Sequence, residues 1–173
     1  MTTPDPAAQQ GTAVPAASAK PASGKPIPSK PMPQPTPASQ PFWDACRRHE
    51  LRIQRCTVCG TLIHYPKLRC PKDGSDKFEW ALMSGRATVH SFVVARRAFH
   101  PAFAADLPSV MAAIELEEGV RLLSNVVGIE PEAVVVGMPL ELIWDDSGLV
   151  DGAEGDAAGY PLPKFRPAQG TGA

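Results

Sequence analysis

The sequence predicts a mainly β protein in which a short N-terminal helix and a small ribbon of strands precede a five-stranded barrel. Three observations lead to this prediction. A motif of two donor residues three positions apart, followed by glycine, occurs twice between residues 56 and 74. Short runs of alternating apolar and polar residues follow Gly85. Residues 1–40 contain ten of the 20 prolines and little aliphatic or aromatic mass, so we expect a disordered tail there.

The tail and the cysteine usage indicate the cellular setting. The tail has no apolar segment typical of a secretory signal, and the chain has no apolar run long enough to span a membrane. Three of the four cysteines lie in the two motifs, which favours a reducing compartment over a disulfide framework. We therefore expect a cytoplasmic protein.

The first predicted element is a helix at residues 42–51, with Phe42, Trp43 and Cys46 on one face. We interpret Cys46 as a small buried apolar residue. A small ribbon has little core to receive two aromatic rings, so we expect the aromatic pair to lie in an interface. Ribbon strands are predicted at 51–55, 61–65 and 78–80.

The two motifs are Cys56-Thr-Val-Cys59-Gly60 and Cys70-Pro-Lys-Asp73-Gly74. Two donors three residues apart can bind one ion when the next residue adopts positive φ, which glycine does without steric penalty. Two such segments form the closed tetrahedral site of a zinc ribbon. We predict a structural Zn²⁺ bound by Cys56, Cys59, Cys70 and Asp73, with no open position for a catalytic water.

Three alternatives to this metal site remain open. The Cys56–Cys59 pair could be a redox pair, although no βαβ pattern surrounds it. The ribbon could have lost its metal, because a carboxylate in place of a thiolate weakens a soft-ligand site. His64 could replace Asp73 as a ligand, although it lies outside the register of the motif.

The barrel is predicted from residue 81 to 167. A long first crossover and a brief helical turn at Pro131 fit a Greek-key barrel of the OB type. A β-sandwich is the competing architecture, but about 85 residues are few for seven strands. We expect a mobile loop at 145–159 and a disordered terminus at 168–173. The predicted strands are 86–94, 110–116, 120–127, 138–144 and an extended segment at 160–167.

Residues 41–167 resemble a known family in the order of their landmarks. These landmarks are Phe42-Trp43, Glu50–Cys56, Cys59-Gly60, Tyr65-Pro66, Cys70-Pro71, Gly85, Glu115–Leu122, Gly137-Met138 and Phe165-Arg166-Pro167. The stretch is similar to the rubredoxin-like zinc ribbon plus OB-fold family of acyl-CoA-associated proteins, long known as a domain of unknown function. The family usually has a fourth cysteine at the position of Asp73, and often has tyrosine at the position of Ser109.

The resemblance implies a non-catalytic accessory subunit. Members of this family are found with thiolase-fold enzymes, namely thiolases, lipid-transfer-type thiolases or aldolases, in some cases beside hot-dog-fold hydratases. The implied roles are to stabilise that partner in a hetero-oligomer and to help hold its acyl-CoA substrate, in fatty acid or steroid side-chain degradation. The four scattered histidines form no recognisable nucleophile–base arrangement, so we name no catalytic residue.

Candidate contacts can be named for both the CoA ester and the partner. The loop after the first barrel strand carries two arginines suited to phosphate and two aromatic rings that could line an acyl path: Arg96, Arg97, Phe99 and Phe103. In the alternative interpretation these residues bind no ligand: the rings pack on the barrel or the partner, and the arginines are solvated. We expect Phe42, Trp43, Ile63 and Tyr65 to contact the partner, because a ribbon of about 40 residues has little interior.

The alternative function is binding of single-stranded nucleic acid, since zinc ribbons and OB barrels both do this. Residues 42–80 contain eight Lys/Arg and five Asp/Glu, a net charge of +3, whereas residues 81–167 contain six and twelve, a net charge of −6. An acidic barrel repels backbone phosphates. The charge distribution therefore disfavours nucleic-acid binding.

Overall fold

The computed structural model describes residues 30–153 and 155–169. Most of the predicted tail and the last four residues lie outside this part of the chain. No helix among the described residues has the length and apolar character needed to cross a membrane. The regular elements are α1 (Gln40–Cys46), β1 (Arg52–Cys56), β2 (Leu62–Ile63), β3 (Phe78–Leu82), β4 (Arg86–Ala95), β5 (Ser109–Leu116), β6 (Arg121–Val126), β7 (Pro139–Asp145) and β8 (Leu162–Pro167).

The strands form a three-stranded ribbon and a closed five-stranded barrel. The ribbon has the order β2-β1-β3, and the barrel has the order β4-β5-β6-β8-β7. β6 and β8 pair in parallel at Val126 and Phe165, whereas the other barrel pairs are antiparallel. This arrangement confirms the predicted OB-type barrel. The predicted domain bounds, 41–80 and 81–167, stay a prediction.

A bulge in β4 allows the barrel to close. The register between β4 and β5 shifts between Val89 and Ser91. The first residues of β4 also pair with β7, from Arg86 with Glu141 to Thr88 with Pro139. Since a bulge increases local bend and twist, a single ten-residue strand can serve both neighbours.

The helix is shorter than predicted and ends at Cys46 instead of residue 51. The chain reverses at His49, which has φ 55°. The Glu50 N–H donates to the carbonyl oxygen of Ala45 at 3.0 Å, and the Met83 N–H donates to that of Leu51 at 2.9 Å. This turn carries Leu51 from the helix to the inner face of the ribbon, where it is 1% exposed.

The ribbon and the barrel share one hydrophobic core. Phe42, Cys46, Leu51 and Ile53 pack in the same cluster as the inward-facing barrel side chains. Phe42 is only 7% exposed, so the expectation that this ring lies in an interface was wrong. The barrel supplies the missing interior. The barrel members are Met83, Ala87, Val89, Val110, Ala112, Ile114, Leu116, Val120, Leu122, Val126, Val134, Leu140 and Phe165.

The loop between β7 and β8 folds back across the barrel end. Residues 155–158 form a 3-10 turn, and the Val150 N–H donates to the carbonyl oxygen of Ala158 at 3.0 Å. The predicted mobile loop thus has internal structure. At the end of this loop, Tyr160 is 1% exposed and packs against helix α1.

Candidate metal centre and ligand cavity

The two motifs form turns of the same geometry. In each, the glycine N–H donates to the carbonyl oxygen of the first cysteine at 2.9 Å, Gly60 to Cys56 and Gly74 to Cys70. The two glycines have φ of 72° and 73°. A Cβ would meet nothing within 4 Å at either position. Glycine is therefore required here for its backbone conformation and not for space.

The turns bring four donor atoms together. The atoms of Cys56, Cys59, Cys70 and Asp73 lie within 4.8 Å of one another. The sulfurs of Cys59 and Cys70 are 3.6 Å apart, and the Cys56 sulfur is 3.4 Å from Asp73 Oδ2. Ligands of a tetrahedral zinc ion, at bond lengths of about 2.0–2.3 Å, are separated by about 3.3–3.8 Å. These distances fit zinc.

The carboxyl group of Asp73 accepts hydrogen bonds from its neighbours. Hydrogen bonds from the Cys59 thiol and then from the Ser75 N–H lower the pKa of Asp73 to about 2. The Ser75 bond, 2.9 Å to Oδ1, leaves Oδ2 directed toward Cys56. Cys56 and Cys70 are buried whereas Asp73 is exposed, so the carboxylate closes the solvent side of the cluster.

His64 does not belong to this cluster. Its ring lies 4.4 Å from that of Tyr65 and 5.7 Å from that of Phe42, measured between centroids. Among the described residues, its Nδ1 is buried without a hydrogen-bond partner. Burial lowers the pKa of His64 to about 4. The histidine is therefore a neutral member of an aromatic cluster, and it lies outside the group of four converging donors.

A cavity of 720 Å³ opens at one end of the barrel. Its wall combines apolar side chains such as Val110, Met111 and Ile129 with a few charged groups. Phe99, Phe103 and Arg97, three of the four predicted CoA contacts, line it. Phe99 is 93% exposed and Phe103 39% exposed, so neither ring is fixed in the barrel core.

The cations of the barrel differ in whether an acidic residue neutralises them. Five of the six in residues 81–167 form ion pairs, and Arg97 forms none with the residues that the structure describes. The pairs are Arg86–Glu117, Arg96–Glu132, Arg121–Glu115, Lys164–Asp145 and Arg166–Glu141. Arg97 is thus the barrel cation with charge available for an anionic ligand, and it lies at the cavity.

Arg96 and Arg97 therefore have different surroundings in the structure. Arg96 bonds the carboxylate of Glu132 and does not line the cavity. Lys164, which the sequence analysis did not single out, does line it, at 2.5 Å from Asp145. Partial burial raises the pKa of Asp145, but hydrogen bonds from Lys164 and Ser147 outweigh this and lower it to about 2. The charge of Lys164 is already balanced.

Of the residues expected to contact a partner, some are buried and others are exposed. Phe42 and Ile63 are buried, at 7% and 5% exposure, so their assignment to an outer surface was wrong. Ile63 packs beside the cysteines of the metal cluster. Trp43 is partly buried on Tyr160, and Tyr65 remains 62% exposed. Two exposed apolar residues that were not predicted, Val58 and Leu68, also lie on the ribbon.

Comparisons with known proteins identify the family. Residues 43–79 match the model of the ChsH2 rubredoxin-like zinc ribbon domain, and residues 80–145 match that of the ChsH2 C-terminal OB-fold domain. A chain in the solved structure of the "Ltp2-ChsH2(DUF35) aldolase" is 38% identical, with a TM-score of 0.67 over 79% of this chain and 99% of that one. The chain belongs to the ChsH2 (DUF35) family. The family model and the four converging donors confirm the prediction of a structural zinc ion.

Two curated relatives are longer than this chain. The "Probable enoyl-CoA hydratase alpha subunit" of Thermomonospora curvata is 41% identical over 128 residues, which are 73% of this chain and 37% of the relative. The "3-oxo-4,17-pregnadiene-20-carboxyl-CoA hydratase alpha subunit" of Mycobacterium tuberculosis is 42% identical over 105 residues, 61% of this chain and 33% of the relative. The chain thus spans about a third of each.

Proposed function

We propose that this ChsH2-family chain is a non-catalytic accessory subunit that binds and stabilises a thiolase-fold enzyme, either a thiolase or a lipid-transfer-type aldolase. The observation that carries the proposal is the match to 99% of a chain from the Ltp2-ChsH2(DUF35) aldolase at 38% identity. Nearly all of that chain therefore has a counterpart here. The names of the two curated relatives, both alpha subunits, also support a role within a complex.

The second part of the proposal is that the barrel cavity helps to hold an acyl-CoA substrate. A thioester of CoA combines an apolar acyl chain with phosphate groups. The cavity combines an apolar wall with Arg97, whose guanidinium group suits phosphate oxygens. Both curated relatives carry CoA hydratase names. Arg97, Phe99 and Phe103 are the proposed contacts, whereas Arg96 supports the loop through Glu132.

The proposed setting is degradation of fatty acids or steroid side chains. The pregnadiene-carboxyl-CoA hydratase name of the Mycobacterium tuberculosis relative favours a steroid-derived acyl group. The acidic barrel and its mostly paired cations argue against a nucleic-acid partner, because few free cations remain to neutralise phosphates.

The test is affinity purification of the full chain from its native cell at moderate salt, followed by mass spectrometry. Recovery of a thiolase-fold protein in near-equal amount is the expected result. The exposed ribbon residue Tyr65 is the proposed contact, so Tyr65→Asp should reduce the recovery. Val136→Asp, at a residue that is 65% exposed on the barrel, is the matched control. Recovery of the bait alone, or of nucleic acid, would contradict the proposal.

A further inference from the structure

Residues 30–33, with the sequence Lys-Pro-Met-Pro, form part of the lining of the barrel cavity. They are the last part of the Pro-rich N-terminal region before helix α1. On one side they contact the loop between β4 and β5, and on the other side the loop between β7 and β8. The segment thus connects two loops that are distant in sequence. We call it the strap.

Met32 is held in a notch between two glycines. A Cβ added to Gly159 would lie 2.5 Å from Met32 Cε, and one added to Gly148 would lie 3.9 Å from Met32 Sδ. The Met32 methyl group therefore occupies space that a side chain at residue 159 would fill. The glycines lie near opposite ends of one loop, so its folding back creates the notch.

Lys30 attaches the other end of the strap. Its Nζ lies 2.7 Å from Asp106 Oδ2 and 5.7 Å from the centroid of the Phe103 ring. Asp106 and Phe103 both line the cavity, and Phe103 is one of the proposed ligand contacts. The strap therefore uses side chains that a ligand entering the cavity would also meet.

The attachment of the strap is weak. Among the described residues, 30–35 form no backbone hydrogen bond with the barrel. The side chains of Lys30 and Asp106 are each 43% exposed, and exposed ion pairs contribute little stability. Pro31 and Pro33 lack N–H donors and favour an extended chain. A segment held mainly by two side chains can leave without unfolding the barrel.

We propose that the strap is an internal competitor for the cavity, and that a ligand with an apolar body and an anionic group displaces it. The identity of this ligand as an acyl-CoA rests on the proposed function, whereas the competition itself does not. A ligand that can bind only when the strap has left has an apparent dissociation constant equal to the intrinsic constant divided by the open fraction. Loosening the strap should therefore tighten binding.

The experiment measures binding of the dye 1-anilinonaphthalene-8-sulfonate to the zinc-loaded full chain by fluorescence titration. Met32→Ser removes the thioether from the notch, and Lys30→Gln removes the ion pair. We expect the dissociation constant of the dye to fall about threefold to tenfold for Met32→Ser, and less for Lys30→Gln. Two control variants lie elsewhere in the N-terminal region: Val14→Ser also replaces an apolar side chain with serine, and Lys20→Gln makes the same change as Lys30→Gln. Both should leave the dissociation constant unchanged.

A second readout follows the strap directly. In protein with ¹³C-methyl methionine, the Met32 methyl group should show nuclear Overhauser contacts to the α-protons of Gly159, and saturating dye should remove them. Unchanged dye affinity in Met32→Ser, or an equal change in Val14→Ser, would overturn the proposal that the strap competes for the cavity. Octanoyl-CoA then tests the ligand separately. If it fails to displace the dye from Met32→Ser while the dye binds more tightly there, the strap stands and the proposed acyl-CoA role of the cavity fails.

Discussion

The ring of Tyr160 lies 5.3 Å from that of Trp43 between centroids, and the guanidinium carbon of Arg47 lies 4.1 Å from the Tyr160 centroid. Tyr160 is 1% exposed. Trp43 belongs to helix α1 and Arg47 directly follows it, whereas Tyr160 precedes the last barrel strand. This contact therefore fixes the N-terminal helix to the C-terminal part of the fold.

We expect Tyr160→Ala to lower the free energy of unfolding by about 3–5 kcal/mol, because removal of a large buried ring leaves a cavity and loses two ring contacts. Tyr160→Phe keeps the ring and should cost much less. Urea unfolding with zinc present, followed by tryptophan fluorescence, measures both. A loss below about 1 kcal/mol for the alanine variant would show that the helix is held elsewhere.

We propose Asp73 as the fourth zinc ligand, and the prediction concerns zinc retention. Asp73→Ala should weaken zinc binding at least about tenfold in competition with a chelator, whereas Asp73→Cys should strengthen it because a thiolate is the softer donor. Asp76→Ala changes an exposed carboxyl group nearby, outside the donor cluster, and is the control. Equal zinc retention by the wild type and Asp73→Ala would remove Asp73 from the ligand set.

The buried His64 predicts a loss of stability in acid. Its folded-state pKa of about 4 lies below the ordinary value of 6.5. The unfolded chain therefore binds a proton first as the pH falls, and stability declines from about pH 6.5 toward pH 4. The expected contribution is about 1 kcal/mol by pH 5.5.

The variant His64→Phe isolates this effect. It keeps a ring between Phe42 and Tyr65 but removes the titrating group and the unpartnered Nδ1. The variant should be more stable than the wild type at pH 7, by about 1 kcal/mol, and the gap should widen as the pH falls to 5.5. Urea midpoints at both values, with zinc in excess, give the difference. A gap that is constant with pH would contradict a neutral buried histidine.

Substitutions of the two neighbouring arginines should affect ligand binding to different degrees. Arg97→Gln removes the unpaired cation at the cavity and should weaken binding of a CoA ester about tenfold or more, because hydrogen bonds to charged groups are worth about 1.5–3 kcal/mol. Arg96→Gln removes the same charge from an ion pair with Glu132 outside the cavity and should change binding little. Calorimetry on the complex with its partner enzyme measures both, and equal effects would contradict the assignment.

The sequence was informative wherever a local pattern sets the structure. Short β-rich runs predicted the first four barrel strands and the prolines of residues 160–167 predicted an extended fifth, and β4 extends only one residue beyond its predicted end at Val94. The end of the helix was predicted five residues too late, because it depends on the reversal at His49 that carries Leu51 into the core. The burial of Phe42 could not be predicted from the local sequence, since the barrel residues that cover it lie further along the chain.

The candidate site likewise has parts that the local sequence predicted and parts that depend on the tertiary structure. The spacing of donors and glycines predicted the metal cluster, because both ligand pairs are local and only their meeting is tertiary. The cavity required barrel closure, which brings Lys164 of β8 and Asp145 of β7 near the loop that carries Arg97. The pairing of Arg96 with Glu132 spans 36 residues and leaves no mark in the local sequence.

The shared core of ribbon and barrel has a consequence for how the protein responds to metal. Phe42, Leu51 and Ile53 bury their side chains in the barrel cluster, so a ribbon that opens when zinc leaves would expose part of the barrel interior. The free energy of zinc binding is then also free energy of barrel folding. Loss of zinc in the cell would therefore destabilise the barrel as well, although the four converging donors among the described residues all belong to the ribbon.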